Sequence, residues 1–300
     1  MTEHASHLAA EIASQPDDWV AVLGRLDEAR AALPAPGERV AVVGCGTSYY
    51  MAQAYAVLRE AAGHGHTEAH AASEYPHTRT FDRVVAISRS GTTTEVVELV
   101  GRLTEQGRGT TAIVATEGTP IPDLAERTLL LPEVDEQSVV QTRFATTTLA
   151  LLRATLGEDV AAVAEQARAV LAEDEESALA GVADAEQLTF LGRGWTVGLA
   201  QEAALKLRES AQFWTEAYPA MEYRHGPISI ATTGRATWAF GEVPSGLAED
   251  VRATGAWFEH RDIDPLADLV RLHRLCLVKA RRAGVDPDRP RHLTRSIILS

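Results

Sequence analysis

The stretch 41-AVVGCGTSYYMAQAYAVLRE-60 returns as 189-TFLGRGWTVGLAQEAALKLRE-209, with Gly-x-Gly, Ala-Gln and Leu-Arg-Glu recurring at an offset of 148 or 149 residues. An internal duplication of this length means that one supersecondary plan is written twice, so any fold proposed for one half has to serve the other. In the first half an apolar run at 40–43 leads through Gly44-Cys45-Gly46-Thr47-Ser48 into a helical pattern ending near Glu60. The same order, strand then polar loop then helix, follows at 84–87, and further strands are expected at 112–114 and 128–131. In the second half, strands are expected at 236–240 and 256–259, followed by a helix over 265–283. Strands alternating with helices imply a parallel α/β layer in each half.

The remaining segments set the boundaries. Residues 5–33 carry apolar positions at helical spacing and stop at Pro34-Ala35-Pro36-Gly37, a leading helix ended by prolines. The expected division is a helix over 1–34, α/β subdomains over 35–160 and 161–283, and a Pro- and Asp-rich tail over 284–300 that closes over the site. Residues 144–180 are nearly all helix formers, and the run Glu173-Asp174-Glu175-Glu176 inside them reads as a solvated helix face. His64, His66 and His70 lie on a Gly-rich link that reads as a solvated loop rather than a metal site.

Bulk properties exclude several classes of function. The formal charge of the 300 residues is −14, whereas nucleic acid and anionic membranes demand a surplus of Lys and Arg. Cys45 and Cys276 form no Cys-x-x-Cys pair, so neither a disulfide framework nor a zinc site is expected. The N-terminus lacks a basic-then-apolar leader, and no run of about 18 apolar residues occurs. A cytoplasmic protein is expected.

Chemistry is expected beyond the carboxyl ends of the strands, where helix N-termini project backbone N–H groups. Ser88-Arg89-Ser90-Gly91-Thr92-Thr93-Thr94 holds five hydroxyls in seven residues, more than an N-cap requires, and suits an anionic ligand such as a phosphate. Arg89 would either add positive charge or pair with a carboxylate. Gly44–Ser48 is a second loop of this kind, but Tyr49 stands where a dinucleotide fingerprint has its third glycine. Cys45 reads as a buried thiol. Glu202, Lys206 and Glu209 share one helical face, which on spacing alone is a surface ladder. The following Glu216-Ala217-Tyr218 and Glu222-Tyr223-Arg224-His225-Gly226-Pro227 place more charge and a histidine in a punctuated segment suited to a site.

Six ordered motifs, GCGTSYY at 44–50, ISRSGTTTEV at 87–96, SVVQTRFATTTLALL at 138–152, ALKLRES at 204–210, EAYPAMEYRHGP at 216–227 and DPDRPRHLTRSI at 286–297, resemble the sugar isomerase (SIS) family, in particular the isomerase half of glucosamine-6-phosphate synthase. The resemblance implies two three-layer α/β/α SIS subdomains with parallel sheets of flavodoxin-like or Rossmann-like topology, and a homodimer with shared active sites. It implies a sugar-phosphate substrate held by Gly46, Thr47, Ser48, Ser88, Arg89, Ser90 and Thr93, with Glu202 and Arg295 also around the sugar. It further implies a catalytic set of Glu209 as the C1/C2 base, His225 for ring opening, donated by the neighbouring subunit, and Lys206. No metal or cofactor is required.

Two departures from the synthase pattern narrow the expected reaction. No glutaminase domain precedes residue 40, and Arg295 stands where the synthase has an imine-forming lysine; a guanidinium stays protonated and forms no Schiff base. The expected activity is therefore a deaminating aldose–ketose isomerisation of an aminosugar 6-phosphate. Alternatives are dehydration of an N-acetylaminosugar 6-phosphate and phosphosugar sensing without catalysis.

Overall fold

The computed structural model describes residues 6–299. The chain forms two compact units, one comprising Asp17–Glu136, Arg143–Val160 and the chain from Thr294, the other comprising the chain up to Pro16, Gln137–Thr142 and Ala161–Leu293. The leading segment is not one helix. Helices α1 (His7–Ala21) and α2 (Leu26–Ala32) are separated by a 3-10 turn, Val22–Arg25, that contains Gly24, a residue of low helix propensity.

In the first unit the chain runs β1 (Val40–Gly44), α3 (Thr47–Ala61), β2 (Thr67–Ala71), β3 (Arg83–Ser88), α4 (Thr94–Glu105), β4 (Gly109–Val114), α5 (Pro120–Leu124), β5 (Arg127–Leu130) and α6 (Arg143–Thr155). All pairings are parallel, in the order β2-β1-β3-β4-β5. This is the flavodoxin-like order, and its direction reverses between β1 and β3, the place where open sheets bind ligands. Val40, Ala41, Val42 and Val43 are fully buried, as a strand covered on both faces requires. On one face Ala41, Val43, Val84, Ala86 and Ala112 pack against Val96, Leu99, Val100 and Leu103 of α4.

The second unit contains α7 (Val160–Ala172), α8 (Glu175–Leu179), β6 (Gln187–Gly192), α9 (Thr196–Ala211), β7 (Thr215–Pro219), β8 (Arg235–Phe240), α10 (Leu247–Ala253), β9 (Trp257–Glu259) and α11 (Pro265–Ala283). Its parallel sheet, β7-β6-β8-β9, repeats the order of the first without a fifth strand. Helix α11 has the expected bounds because both ends are capped: Asp264 accepts from the Leu266 N–H at 2.8 Å, and Gly284 takes the left-handed conformation at the other end.

The duplication extends beyond the stretch that first reveals it. Thr67-Glu68-Ala69-His70 and Thr215-Glu216-Ala217-Tyr218 form the equivalent edge strands β2 and β7. The first glycine of each Gly-x-Gly lets a helix start against its own strand. A Cβ on Gly44 would lie 2.7 Å from the Ser48 carbonyl carbon, and one on Gly192 would lie 2.2 Å from the Thr196 carbonyl oxygen.

Three expectations change. His66 and His70 do not sit on a solvated loop but at and within β2, bonded to Glu68 at 2.8 and 3.0 Å; with Arg79 they hold its carboxyl below the usual range, the His66 bond contributing most. Among the described residues no group of three His, Cys, Asp or Glu is placed to hold a metal ion. The run at 173–176 is not a helix face but a helix break, where Asp174 caps α8 through the Ser177 N–H and Glu173 pairs with Arg261 at 2.7 Å. The tail is not a single element either. Asp288 accepts from the His7 and Leu8 N–H groups at the start of α1, whereas the chain from Thr294 lies with the first unit.

Candidate active site

Two loops leave the carboxyl ends of the neighbouring strands β1 and β3. Gly46, at φ 54°, precedes α3, and Thr47 and Ser48 are buried in its first turn. The second loop turns at Gly91, whose φ of +65° and closeness to Thr119 suit only glycine; a Cβ there would meet Thr119 Oγ1 at 2.0 Å. Ser88 Oγ accepts from the Gly91 N–H and Ser90 Oγ from the Thr92 N–H, both at 3.3 Å, so these side chains hold the loop's own shape.

The last described residues lie on this loop. Ser296 Oγ is 3.1 Å from Ser90 Oγ, 3.0 Å from Thr92 Oγ1 and 3.3 Å from Thr93 Oγ1, which gathers four hydroxyls at one point. The Ile297 carbonyl accepts the Thr94 N–H at the start of α4 (3.1 Å), and Thr94 Oγ1 accepts from Leu299 N–H (2.9 Å). Of the two roles open to Arg89, pairing is realised: the buried guanidinium lies 3.3 Å from the buried Glu136 carboxylate and also donates to the Arg295 carbonyl at 3.0 Å. The Arg295 guanidinium is itself bonded to Asp135 and to the Glu136 carbonyl. Glu136 and Ser296 are absent from the sequence-based set; for Ser296 no local signal marks it, since only the fold brings it to residues some 200 positions away.

The second group of candidates lies on α9 in the other unit. Lys206 Nζ donates to Glu209 and lies 3.6 Å from Glu202 Oε1. This is not a surface ladder. The Lys206 and Glu202 side chains are 1% and 2% exposed, and Glu209 keeps 20% of its side chain accessible. The arrangement is one carboxylate with an open face, oriented by a buried ammonium that a second buried carboxylate balances. Burial follows from the sequence around it, because Leu199, Ala200, Ala203, Ala204 and Leu207 cover α9 on its other sides.

Two histidines of the same unit differ in their surroundings. His273 on α11 is buried; Gln15 Nε2 donates to its Nδ1 at 3.1 Å, which leaves the proton on Nε2. Burial, aided by the charge of Lys206, pushes its pKa down to about 3, so the ring is neutral. His225 is exposed on a 3-10 turn, Glu222–His225, and no hydrogen bond or ion pair joins it to Glu209. Cys45 is half-buried, and burial raises its thiol to about 11, which removes it as a nucleophile near neutral pH. Among the described residues no helix is long and apolar enough to cross a membrane.

Comparison with known proteins bears on the fold that carries these residues. The SIS domain family matches residues 35–156. The chain is 26% identical to the isomerizing glutamine–fructose-6-phosphate aminotransferase of Sulfolobus acidocaldarius, covering 94% of this chain but 54% of that protein, so it spans about half the length of such relatives. The solved structure of glucosamine-6-phosphate deaminase from Thermotoga maritima superposes with a TM-score of 0.79 at 24% identity, over 98% of this chain and 100% of the other. Tagatose-6-phosphate ketose/aldose isomerase from Escherichia coli gives 0.80 at 19% identity, over 95% of each. At these identities the likeness to solved structures speaks for the fold, and the SIS domain family is what residues 35–156 of this chain match.

Proposed function

We propose that the chain is a cofactor-independent, deaminating aldose–ketose isomerase of an aminosugar 6-phosphate. The observation that carries this reading is the Glu202–Lys206–Glu209 group on α9, a carboxylate held by a buried lysine with one face accessible. The phosphate is assigned to the hydroxyl-rich turn at 88–93 with Thr47 and Ser48, and Arg295 orients substrate through its hold on that turn. Glu209 takes the C2 proton of the opened sugar, and Lys206 stabilises the 2-amino enolate that forms, with its charge on the C1 oxygen. Returning the proton to C1 of a 2-amino sugar leaves a ketose imine, which water hydrolyses to the ketose phosphate and ammonia.

Relatives named for aminosugar chemistry support the substrate class. Arginine at 295, in place of a lysine, disfavours amine transfer through a Schiff base. The exposure of His225 fits its use by a second copy of the chain, and a homodimer is part of the proposal. Incubation with glucosamine 6-phosphate is expected to release ammonia and fructose 6-phosphate in equal amounts. Glu209→Gln, which keeps the shape and removes the base, should abolish release while retaining substrate binding. Turnover unaffected by that substitution would overturn the assignment of the base, and no turnover by the wild type would overturn the reaction.

A further inference from the structure

The strongest feature outside that site is an open cavity of about 370 Å³ in the second unit, lined by Arg208, Gln212, Phe213, Trp214, Thr215, Arg291 and His292. We propose that it binds a nucleoside phosphate, with the base stacked on Trp214 and the phosphate held by Arg208, Arg291 and His292. The proposal is independent of which sugar phosphate the enzyme turns over.

Four observations point to this class of ligand. The lining includes two arginines and a histidine and no carboxylate, in a chain whose formal charge is −14. A local surplus of donors in an acidic protein favours an anion. Trp214 is 75% exposed, an unusual position for so large an apolar ring, and it offers a flat face to a stacking partner. Gln212 (φ 53°) and His292 (φ 64°) are the two non-glycine residues with positive φ among the described residues, and both line this cavity. Gln212 takes its φ as the left-handed cap that ends α9, whereas His292 caps no helix, and such conformations are uncommon outside glycine.

The duplication supplies the fourth. Arg59 is the repeat counterpart of Arg208, within Leu58-Arg59-Glu60 and Leu207-Arg208-Glu209. Each bonds the threonine that opens the following strand, Arg59 to Thr67 Oγ1 at 2.9 Å and Arg208 to Thr215 Oγ1 at 3.1 Å. Arg59 is then fully buried, because the carbonyls of Ala35 and Glu38 accept its other N–H groups at 2.7 and 3.1 Å. In the second half the residues before β6 give their carbonyls to other partners: Ala183 accepts from Arg282 and Ala185 from Lys279. Arg208 is exposed and bonds only Thr215 besides lining the cavity, so the acceptors that complete the first copy are left for a ligand to supply.

The test is calorimetric titration of the full chain at low salt with adenosine 5′-monophosphate, uridine 5′-monophosphate, ribose 5-phosphate and inorganic phosphate. The nucleotides are expected to bind once per chain, about tenfold or more tighter than ribose 5-phosphate, the difference being the stacked base. Trp214→Ala should bring nucleotide affinity down to that of ribose 5-phosphate, and Trp214→Phe should restore most of it. Arg291→Ala should weaken nucleotides and flatten the salt dependence. Both positions are exposed, so the variants keep the fold, which a thermal melt checks. Nucleotide affinity no better than that of ribose 5-phosphate, or unchanged by Trp214→Ala and Arg291→Ala, would overturn the proposal.

Discussion

Replacing Lys206 by methionine removes a charge but little volume, and the structure sets the size of the response. Lys206 Nζ lies 3.6 Å from Glu202 Oε1, with both side chains almost completely buried. At that separation and an effective dielectric constant near 20, the attraction is about 4.6 kcal/mol. Loss of the lysine takes one counter-charge away from the buried Glu202 carboxylate, a change that typically costs about 3–5 kcal/mol. Glu209, with one face open to water, adds less. For a protein of 300 residues the thermal midpoint should fall by roughly 5–8 °C. Circular dichroism on Lys206→Met measures it, and Glu202→Gln in the same background should recover at least half of the loss, because it removes the charge that the first substitution stranded. A single variant within about 1 kcal/mol of wild type, or a double variant whose losses simply add, would refute the account of a buried charge network.

Two further outcomes follow from groups that are buried or strained. His273 is held neutral with a folded pKa of about 3, far below its unfolded value near 6.5. Its unfolded form therefore takes up a proton that the folded form refuses, so its stabilising effect is complete above about pH 6.5 and is lost as pH falls, at about 1.4 kcal/mol per unit. Denaturant titrations of wild type and His273→Leu between pH 4 and pH 7 should show this slope in the former and not in the latter; parallel curves would refute it. Gly91→Ala should cost more than Gly118→Ala, since both have φ near +65° but only the first places its Cβ 2.0 Å from Thr119 Oγ1. Each carries the left-handed penalty of about 1–2 kcal/mol, and equal losses of thermal midpoint would show that Thr119 moves aside freely.

What the sequence made legible depended on where each element ends up. Strand β3 reads as an apolar run at 84–87, β4 only in its second half at 112–114 and not in its start at Gly109-Thr110-Thr111, and α11 announces itself by Asp264-Pro265 at one end and Gly284 at the other. Strands β2 and β7 escaped because both lie at sheet edges, half exposed, with Glu68 and His70 or Glu216 and Tyr218 in place of aliphatic residues. Such edges are kept short and polar to discourage pairing with other chains, which is also what makes them look like loops. At the candidate site, helical spacing revealed that Glu202, Lys206 and Glu209 share a face but not that this face is buried. The apolar residues Leu199, Ala203 and Leu207 beside that face are the signal that was available. The partners of Arg89 could not be read at all, since Glu136 and the Arg295 carbonyl come to it from positions 47 and 206 residues away.

The Ser296 hydroxyl among Ser90, Thr92 and Thr93 has a thermodynamic consequence for anything that enters that turn. An arriving oxyanion does not meet naked dipoles; it exchanges places with an oxygen that the chain itself has already supplied. The observed affinity is then the difference between two sets of similar interactions, smaller than a sum of the new bonds suggests, and release is correspondingly quick because the vacated positions refill from within the molecule.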